Sequence, residues 1–453
     1  MGITARFAAA ATALALVAQP AAAQSILRDA ETEALLDEMA APLVKAAGLA
    51  PGNVDIVLVG DDSINAFVAG GQAVYIHTGL IQKAETANEV QGVIAHELGH
   101  ITGGHVINTD GIQEASRISI LSLLVGVAAA VAGAGDAAMA AMMAGQRAAL
   151  GRYLAFSRVQ ESAADAAGVE YLSEAGISGR GSLSFFKKLQ NLEFRYGVTP
   201  DDDNAFVSTH PLSSERIARL TDEYQRDAAW EKPDNPALEV RFARVKAKLA
   251  GYLQEPAKTL RDFPASNQST AARYARAYAF HKDALVEKSL AETQALLSSD
   301  PENPYFLELE GQVLLESGRP AEALEALRRA TALTNNEPLI AATFGHALIA
   351  TEDPAHYEEA ERVLKAAVSR DRANPFAWYQ LGVIYANQGD MPRARLASAE
   401  QQVLSGRYAE ALRSAKAAQA GLDIGTPDGL RAQDIEFEAR AALEREEKRR
   451  RRG

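Results

Sequence analysis

Hydrophobic residues recur with two different periods between about residues 30 and 230. Apolar residues follow helical spacing across 30–49, where Pro42 marks a kink or a break. Short β-branched runs at 54–59 and 73–78 predict strands. The mixture predicts an α+β domain with a small sheet.

A further helix is predicted between Thr86 and the glycine pair Gly103-Gly104. Thr86 and Glu89 have the spacing of a capping box, and the two glycines supply a stop. One apolar stripe should face the core, and it consists of Val90, Ile94, Leu98 and Ile101. The pattern therefore predicts a helix held rigidly by one buried face, with a neighbouring face open for chemistry.

From about residue 270 to 422 the pattern changes to a repeat rich in Ala, Leu and Glu. Its signature positions are Trp378, Leu381, Gly382, Tyr385 and Ala394, which fit a tetratricopeptide helix pair. Pro304 and Pro338 lie 34 residues apart, the length of one such repeat. We expect about four repeats, one of them with about three extra residues near 352–355, stacked as a solenoid with a concave binding face.

The N-terminus has the layout of a secretory signal peptide over residues 1–23. A single Arg6 precedes an apolar run at 7–17, and Ala21-Ala22-Ala23 offers a cleavage site. The apolar run is too short for a comfortable membrane span. We therefore expect export of the mature chain from the cytoplasm.

Residues 119–150 are strongly apolar, and Asp136 interrupts them. Neither half reaches the length of a membrane span. We expect a buried or groove-covering helical hairpin, and the alternative is a segment that leans on a membrane surface.

Composition narrows the classes of function. The formal net charge is −13, so we expect no nucleic-acid partner. The absence of cysteine excludes disulfides, a thiol nucleophile and thiolate metal ligands. Any metal must be held by histidines and carboxylates, which suits zinc. The basic run at 448–452 is interpreted as part of a solvated tail.

The strongest chemical signal is the sequence His96-Glu97-Leu98-Gly99-His100. Two histidines four residues apart on a helix share a face, so both imidazoles can bind one zinc ion, and Glu97 can act on a water molecule there. The competing interpretation is a helix with two unrelated histidines. With 8 histidines among 453 residues, that coincidence is rare.

A second predicted helix offers the remaining ligand. Glu161 and Asp165 are four residues apart, so their carboxylates share one face. Glu161 can bind zinc directly, and Asp165 can accept the second imidazole N–H of a ligand histidine. Taken alone, this spacing is more typical of a solvated face.

These features together resemble the M48 family of zinc metallopeptidases, over most of residues 30–225. The matching pieces are Asn65-Ala66-Phe67, Gly70-Gly71, Thr78-Gly79-Leu80, the motif from His96 to His100, Ser157-Arg158 with Glu161 and Asp165, Ser208-Thr209-His210-Pro211, and Arg216-Ile217. With a signal peptide in front and repeats behind, the chain is similar to the periplasmic, repeat-containing M48 peptidases of Gram-negative bacteria.

The resemblance implies a mainly α protein, with a zincin-like α+β metallopeptidase domain followed by an all-α tetratricopeptide solenoid. The expected division is a signal peptide at 1–23, the peptidase domain at 24–235, a helical linker at 236–269, the repeats at 270–422 and a charged C-terminal tail at 423–453.

The resemblance also implies roles at the site. One Zn²⁺ per chain would be held by His96, His100 and Glu161. Glu97 would be the general base, with Asp165 behind a ligand histidine. His210 and Arg216 are candidates for stabilising the oxyanion, because the family pattern places them near the metal. Alternatively, His210 is a fourth zinc ligand that keeps the enzyme latent, or a histidine in a surface loop.

Substrate is expected along the strand at 73–78 together with Asn65, Ala66 and Phe67. An extended peptide could pair with such an edge through backbone hydrogen bonds. His77 and His105 are interpreted as local polar groups rather than ligands. No chemistry is assigned to the histidines of the repeats, which are His281, His346 and His356.

The leading hypothesis is a periplasmic zinc endopeptidase that hydrolyses misfolded or stalled proteins in outer-membrane protein quality control and assembly. Its repeats would dock clients or the outer-membrane assembly machinery. The alternative is a chaperone-like binding scaffold with a latent metal site. A third class, a membrane-associated hydrolase, requires residues 119–150 to contact the membrane.

Overall fold

The computed structural model describes residues 25–105, 121–122, 135–196 and 210–451. The predicted signal peptide lies outside these residues, and so does most of the apolar segment up to residue 134. The hairpin and membrane-contact expectations for 119–150 therefore remain predictions. Among the helices that are described, none is long and apolar enough to cross a bilayer.

The chain divides into two compact units. The first comprises Met1–Arg28 and Glu33–Phe242, and the second comprises Asp29–Thr32 and Ala243–Gly453. The short segment Asp29–Thr32 is thus packed with the second unit, although the residues on either side of it belong to the first.

A four-stranded sheet lies in the first unit. Its strands are β1 (Ser25–Ile26), β2 (Asp55–Gly60), β3 (Ala66–Ala69) and β4 (Ala73–His77). Their order is β1-β2-β4-β3, with β2 and β4 parallel and the other pairs antiparallel. Two glycines with positive φ, Gly70 and Gly71, form the tight turn from β3 to β4.

The expectation that the strand at 73–78 forms the substrate edge is wrong in one respect. β4 lies inside the sheet, because β2 pairs with one side of it and β3 with the other. The edge strands of the sheet, as far as the structure describes it, are β1 and β3. Strand β3 contains Ala66 and Phe67 and follows Asn65 directly.

Six helices are described before residue 230. They are α1 (Ala30–Ala46), α2 (Thr78–Lys83), α3 (Ala87–Thr102), α4 (Gly135–Ala175), α5 (Arg180–Tyr196) and α6 (Ser214–Arg226). Pro42 lies inside α1 without ending it. Every residue of α3 from Ala87 to His100 is buried. The predicted single buried stripe therefore understates its burial, because α4, α5 and the strands β3 and β4 all pack against it.

Twelve further helices follow in the described chain. They are α7 (Pro236–Leu253), α8 (Pro256–Asp262), α9 (Thr270–Lys282), α10 (Val286–Ser299), α11 (Pro304–Glu316), α12 (Pro320–Leu333), α13 (Pro338–Ala350), α14 (Tyr357–Arg370), α15 (Pro375–Asn387), α16 (Met391–Leu404), α17 (Tyr408–Gln419) and α18 (Pro427–Arg450).

From α9 onwards these helices form consecutive pairs, as the repeat pattern predicts. Gly311 and Gly345 occupy equivalent places, since a Cβ on them would lie 2.3 Å from Leu327 and 2.5 Å from Leu364. Each glycine lets the two helices of its pair approach closely. The expected extra residues near 352–355 form a 3₁₀ turn, Pro354–His356, before α14.

The C-terminal residues differ from the expectation of a charged tail. Helix α18 packs against α17, and its buried side chains are Ala432, Ile435, Ala439 and Ala442. Small apolar residues at helical spacing within a charged sequence form this contact. The basic run at its end is exposed as far as Arg451, where the described chain ends.

Candidate metal centre

Helix α3 carries the His-Glu-x-x-His motif in its buried C-terminal half. The helix begins as predicted, with the Thr86 side chain accepting a hydrogen bond from the Glu89 backbone N–H. The Glu89 carboxylate accepts from the Glu85 backbone and from Lys188 on α5. The start of α3 is thereby fixed, and His96, Glu97 and His100 are held on a rigid element.

Helix α4 supplies Glu161 and Asp165, and glycines allow it to approach α3. A Cβ on Gly99 would lie 2.6 Å from the Ala164 carbonyl oxygen. A Cβ on Gly168 would lie 3.3 Å from the backbone nitrogen of His96. The close backbone approach brings two short carboxylate side chains to the histidines. Both carboxylates are buried.

Four side chains offer donor atoms that all lie within 4.8 Å of one another. They are His96, His100, Glu161 and His210, and all four are buried. The Nε2 atom of His96 is 3.2 Å from His100 Nε2 and 3.3 Å from His210 Nδ1. The Glu161 carboxylate oxygens are 3.4 Å from His96 Nε2, 3.4 Å from His100 Nε2 and 3.0 Å from His210 Nδ1.

These separations fit a tetrahedral zinc ion. Four ligand atoms at about 2.0–2.1 Å from zinc stand about 3.3–3.4 Å apart. An arrangement of three imidazole nitrogens around one carboxylate is also the donor set that suits zinc. The residues present therefore fit the metal that the sequence predicts.

Glu97 lies beside this cluster and is buried. Both of its carboxylate oxygens lack a hydrogen-bond partner among the described residues, and Oε1 is 3.6 Å from His210 Nε2. A buried carboxylate without hydrogen bonds is costly, so such groups are typical of sites where a ligand or water completes the set.

Arg216 on α6 contacts both carboxylates that α4 brings to the site. Its Nε and Nη2 atoms each donate to Asp165 at 2.7 Å, and Nη1 lies 2.8 Å from Glu161. Nη1 also donates to the Pro211 carbonyl. These bonds join the guanidinium to both carboxylates, and the predicted role of Arg216 in stabilising an oxyanion stays a prediction.

The two motif histidines each have a partner on the ring nitrogen that points away from the cluster. His96 Nδ1 is 3.2 Å from Asp165, as the sequence predicts. His100 Nδ1 is 2.9 Å from His105 Nδ1. Sequence reasoning missed the second partner. The signal that could have found it is the glycine pair at 103–104, which turns the chain back towards His100.

The electrostatics follow from burial and these contacts. Burial alone would lower the pKa of His96, but Asp165 and Glu161 outweigh it and raise that pKa to about 9. Burial lowers the pKa of His100. The pKa of Glu161 is held far below its usual range by the three histidines, against the effect of burial. Asp165 has a pKa of about 2, because hydrogen bonds from His96 and Arg216 overcome its burial.

The predicted substrate residues lie on or directly before the edge strand β3 and are not among the clustered donors. Ala66 is buried, and the Phe67 ring stacks on Tyr75 with centroids 5.0 Å apart. Asn65 is buried, and its carbonyl accepts a hydrogen bond from the His77 backbone. The ring of His77 bonds to Ser63, in keeping with its interpretation as a local polar group.

Histidine and carboxylate donors on two closely packed helices beside a small sheet, with a buried acid inside the His-x-x-x-His interval, define a metallopeptidase site. The sequence profile of peptidase family M48 matches residues 27–224. It is a metalloendopeptidase. The profile of the cytochrome c-type biogenesis protein H TPR domain matches residues 293–405, within the helical repeats.

Several characterised relatives are similar along the chain. The beta-barrel assembly-enhancing protease of Yersinia pestis is 26% identical over 387 residues, covering 83% of this chain and 76% of that protein. The protein of the same name from Escherichia coli (strain K12) is 25% identical, covering 82% and 75%. The metalloprotease LoiP of Escherichia coli (strain K12) is 32% identical over 180 residues, covering 39% of this chain and 64% of that protein.

Proposed function

We propose that this protein is a periplasmic zinc endopeptidase that hydrolyses peptide bonds of misfolded or stalled proteins during assembly of outer-membrane β-barrel proteins. The observation that carries the proposal is the buried cluster of three histidines and Glu161 beside Glu97, whose carboxylate has no hydrogen-bond partner among the described residues. The process is suggested by relatives named beta-barrel assembly-enhancing protease, which match both units of the chain. The compartment is suggested by the predicted signal peptide.

Hydrolysis of a peptide bond at this site would use only a few side chains. Bound zinc would supply a Lewis acid that polarises the scissile carbonyl and activates water. Glu97 would hold the water proton on its carboxylate and deliver it to the leaving amine. Asp165 would keep His96 in the tautomer that leaves Nε2 as the metal ligand. Arg216 would hold the carboxylates of Asp165 and Glu161 in position and balance their negative charge.

His210 is proposed as a fourth ligand that keeps the site latent. Its Nδ1 atom is 3.0 Å from Glu161 and 3.3 Å from His96, so it sits among the other donors. A catalytic zinc site keeps one position open, whereas four protein ligands close it. Cleavage would then require His210 to move away.

The substrate is proposed to add to the open edge of β3 as an extended strand. Main-chain hydrogen bonds at an edge recognise an unfolded chain with little regard to its sequence. That mode suits a protease that removes misfolded clients. The helical repeats are proposed to dock those clients or the assembly machinery, since stacked repeats present extended binding surfaces.

The alternative function is a chaperone-like scaffold whose metal site stays closed. The same position of His210 favours it, because a complete donor set leaves no place for substrate.

The His210→Ala variant tests this part of the account. We expect it to keep about one zinc per chain and to cleave an unfolded protein faster than the wild type, because three ligands remain and one position opens. The control is His281→Ala, in helix α9 of the repeats. Slower cleavage would instead assign His210 to oxyanion stabilisation, and an unchanged rate would contradict both roles. Absence of zinc and of chelator-sensitive cleavage in the wild type would contradict the proposed activity.

A further inference from the structure

His105 lies directly behind one of the candidate zinc ligands. The Nε2 atom of His100 faces the cluster, 3.4 Å from Glu161, while its Nδ1 atom is 2.9 Å from His105 Nδ1. The two rings are nearly perpendicular, with centroids 5.0 Å apart. His105 is not among the four clustered donors. Its contact with the site therefore runs through His100.

The chain between the two histidines is shaped to make this contact. Gly104 has a φ of +64°, a conformation that other residues rarely adopt. The His105 backbone N–H then donates to the His100 carbonyl at 3.0 Å, which closes the end of α3. At Gly103 a Cβ would lie 2.5 Å from the His105 ring nitrogen Nε2. One glycine thus turns the chain, and the other leaves room for the ring.

We propose that His105 is a positioning residue for His100. For His100 to bind zinc through Nε2, its Nδ1 must carry the proton, and that N–H needs an acceptor. His105 Nδ1 supplies the lone pair, and the proton of the His105 ring is then on its Nε2. The hydrogen bond fixes both the tautomer and the rotation of the His100 ring.

An acceptor also lies beside the other motif histidine, where Asp165 Oδ1 is 3.2 Å from His96 Nδ1. The difference is the charge of the acceptor. Glu161, Asp165 and Glu97 already bring three carboxylates to the site, and Arg216 pairs with the first two of them. A neutral imidazole orients His100 without adding another carboxylate.

This inference rests on zinc being the metal of the proposed function, and its test reads zinc affinity directly. The full-length protein is titrated with Zn²⁺ in competition with a chromogenic chelator. His105→Phe keeps a ring of similar size and removes the acceptor, so we expect zinc to bind about tenfold more weakly, at the lower end of effects from such outer partners. His105→Asn places an amide oxygen near the position of Nδ1, and we expect it to restore affinity to within about threefold.

A second test moves the His105 ring by a substitution at Gly103. Gly103→Ala displaces the His105 ring and should weaken zinc binding about tenfold in the wild type. It should have no further effect in a His105→Ala background, where no ring remains to be displaced. The visible spectrum of the Co²⁺-loaded protein should change in His105→Phe and return in His105→Asn.

The results of these titrations distinguish a positioning role of His105 from a packing role. Equal losses in His105→Phe and His105→Asn, or wild-type affinity in His105→Phe, would overturn the inference, because the side chain would then act through packing or not at all. Additive effects of Gly103→Ala and His105→Ala would overturn it as well. If the wild-type chain binds no zinc, the proposed function itself has failed. Circular dichroism and unfolding temperatures of the metal-free variants confirm that each is folded.

Discussion

The guanidinium of Arg216 joins the two carboxylates of the metal site, and its shape matters as much as its charge. We expect Arg216→Lys to weaken zinc binding about tenfold, because a lysine cannot bond both oxygens of Asp165 and reach Glu161 at once. Chelator competition measures the change. The matched control is Arg219→Lys, which touches Asp165 from a half-exposed position and should change affinity by less than about twofold. Equal effects of the two variants would contradict the positioning role.

Glu308 on α11 gives the second unit a stability that depends on pH. Burial raises its pKa to about 8, and one of its oxygens is buried without a hydrogen-bond partner among the described residues. The charged groups and tyrosines around it are Lys248, Asp29, Glu31, Glu337, Tyr274, Tyr278 and Tyr305. Because the folded-state pKa lies above the unfolded one, this group favours folding below about pH 4.5. That contribution is lost as the pH rises through about 8.

The comparison of wild type with Glu308→Gln isolates this contribution. We expect the free energy of unfolding to fall between pH 5 and pH 8 by roughly 1–4 kcal/mol more in the wild type than in the variant. Urea unfolding of the second unit at several pH values measures it. The control is Glu302→Gln, an exposed position shortly before the same helix. If Glu308→Gln shows the wild-type slope, the buried carboxyl is not ionising as described.

At the residue scale, sequence reasoning identified the groups that meet at the site but not all of their contacts. The spacing of four residues placed His96 and His100 on one helical face. The same spacing between Glu161 and Asp165 along α4 predicted that Asp165 lies near a ligand histidine. The roles of Arg216 and His105 depend on which atoms face each other across different elements. No spacing along the chain encodes that, so the contacts of Arg216 with Asp165 and of His105 with His100 could not be predicted.

At the scale of elements, the close approach of α3 and α4 brings the ligands together. We expect Gly99→Ala to destabilise the first unit by about 1–3 kcal/mol, because the added Cβ would meet the Ala164 backbone at 2.6 Å. Gly382→Ala on α15 is the contrasting variant. Its Cβ would lie 3.4 Å from the nearest atom, so the better helix propensity of alanine should leave stability unchanged or raise it by up to about 1 kcal/mol. Urea unfolding measures both, and similar effects at the two positions would contradict the packing argument.

The elements themselves were predictable to different degrees. The capping residue Thr86 and the glycines at 103–104 predicted the start and end of α3 closely. Its burial on every side was not predictable, because it depends on neighbours that are distant along the chain. The order of the strands in the sheet was not predictable for the same reason. A β-branched run predicts a strand, but only the pairing of β3 with β4 decides which of the two is the edge.

At the scale of the whole molecule, the chain combines a metallopeptidase domain with a set of helical repeats. Repeat periodicity predicted the helix pairs well, since every repeat must bury the same positions against its neighbours. Helix α18 was not predicted from the sequence, because the helix has many charged residues and only a few alanines on its buried face. The peptidase profile matches residues 27–224 and the repeat profile matches residues 293–405, so the two profiles match separate parts of the chain.

The central claim is that Glu97 performs proton transfer at a zinc ion held by the buried cluster. Its most direct test compares purified wild type and Glu97→Gln, measuring zinc content and the rate of cleavage of an unfolded protein on the same samples. We predict about one zinc per chain in both and a rate at least about 100-fold lower in the variant, because an amide cannot accept the proton. Cleavage at the wild-type rate by zinc-loaded Glu97→Gln would contradict the account.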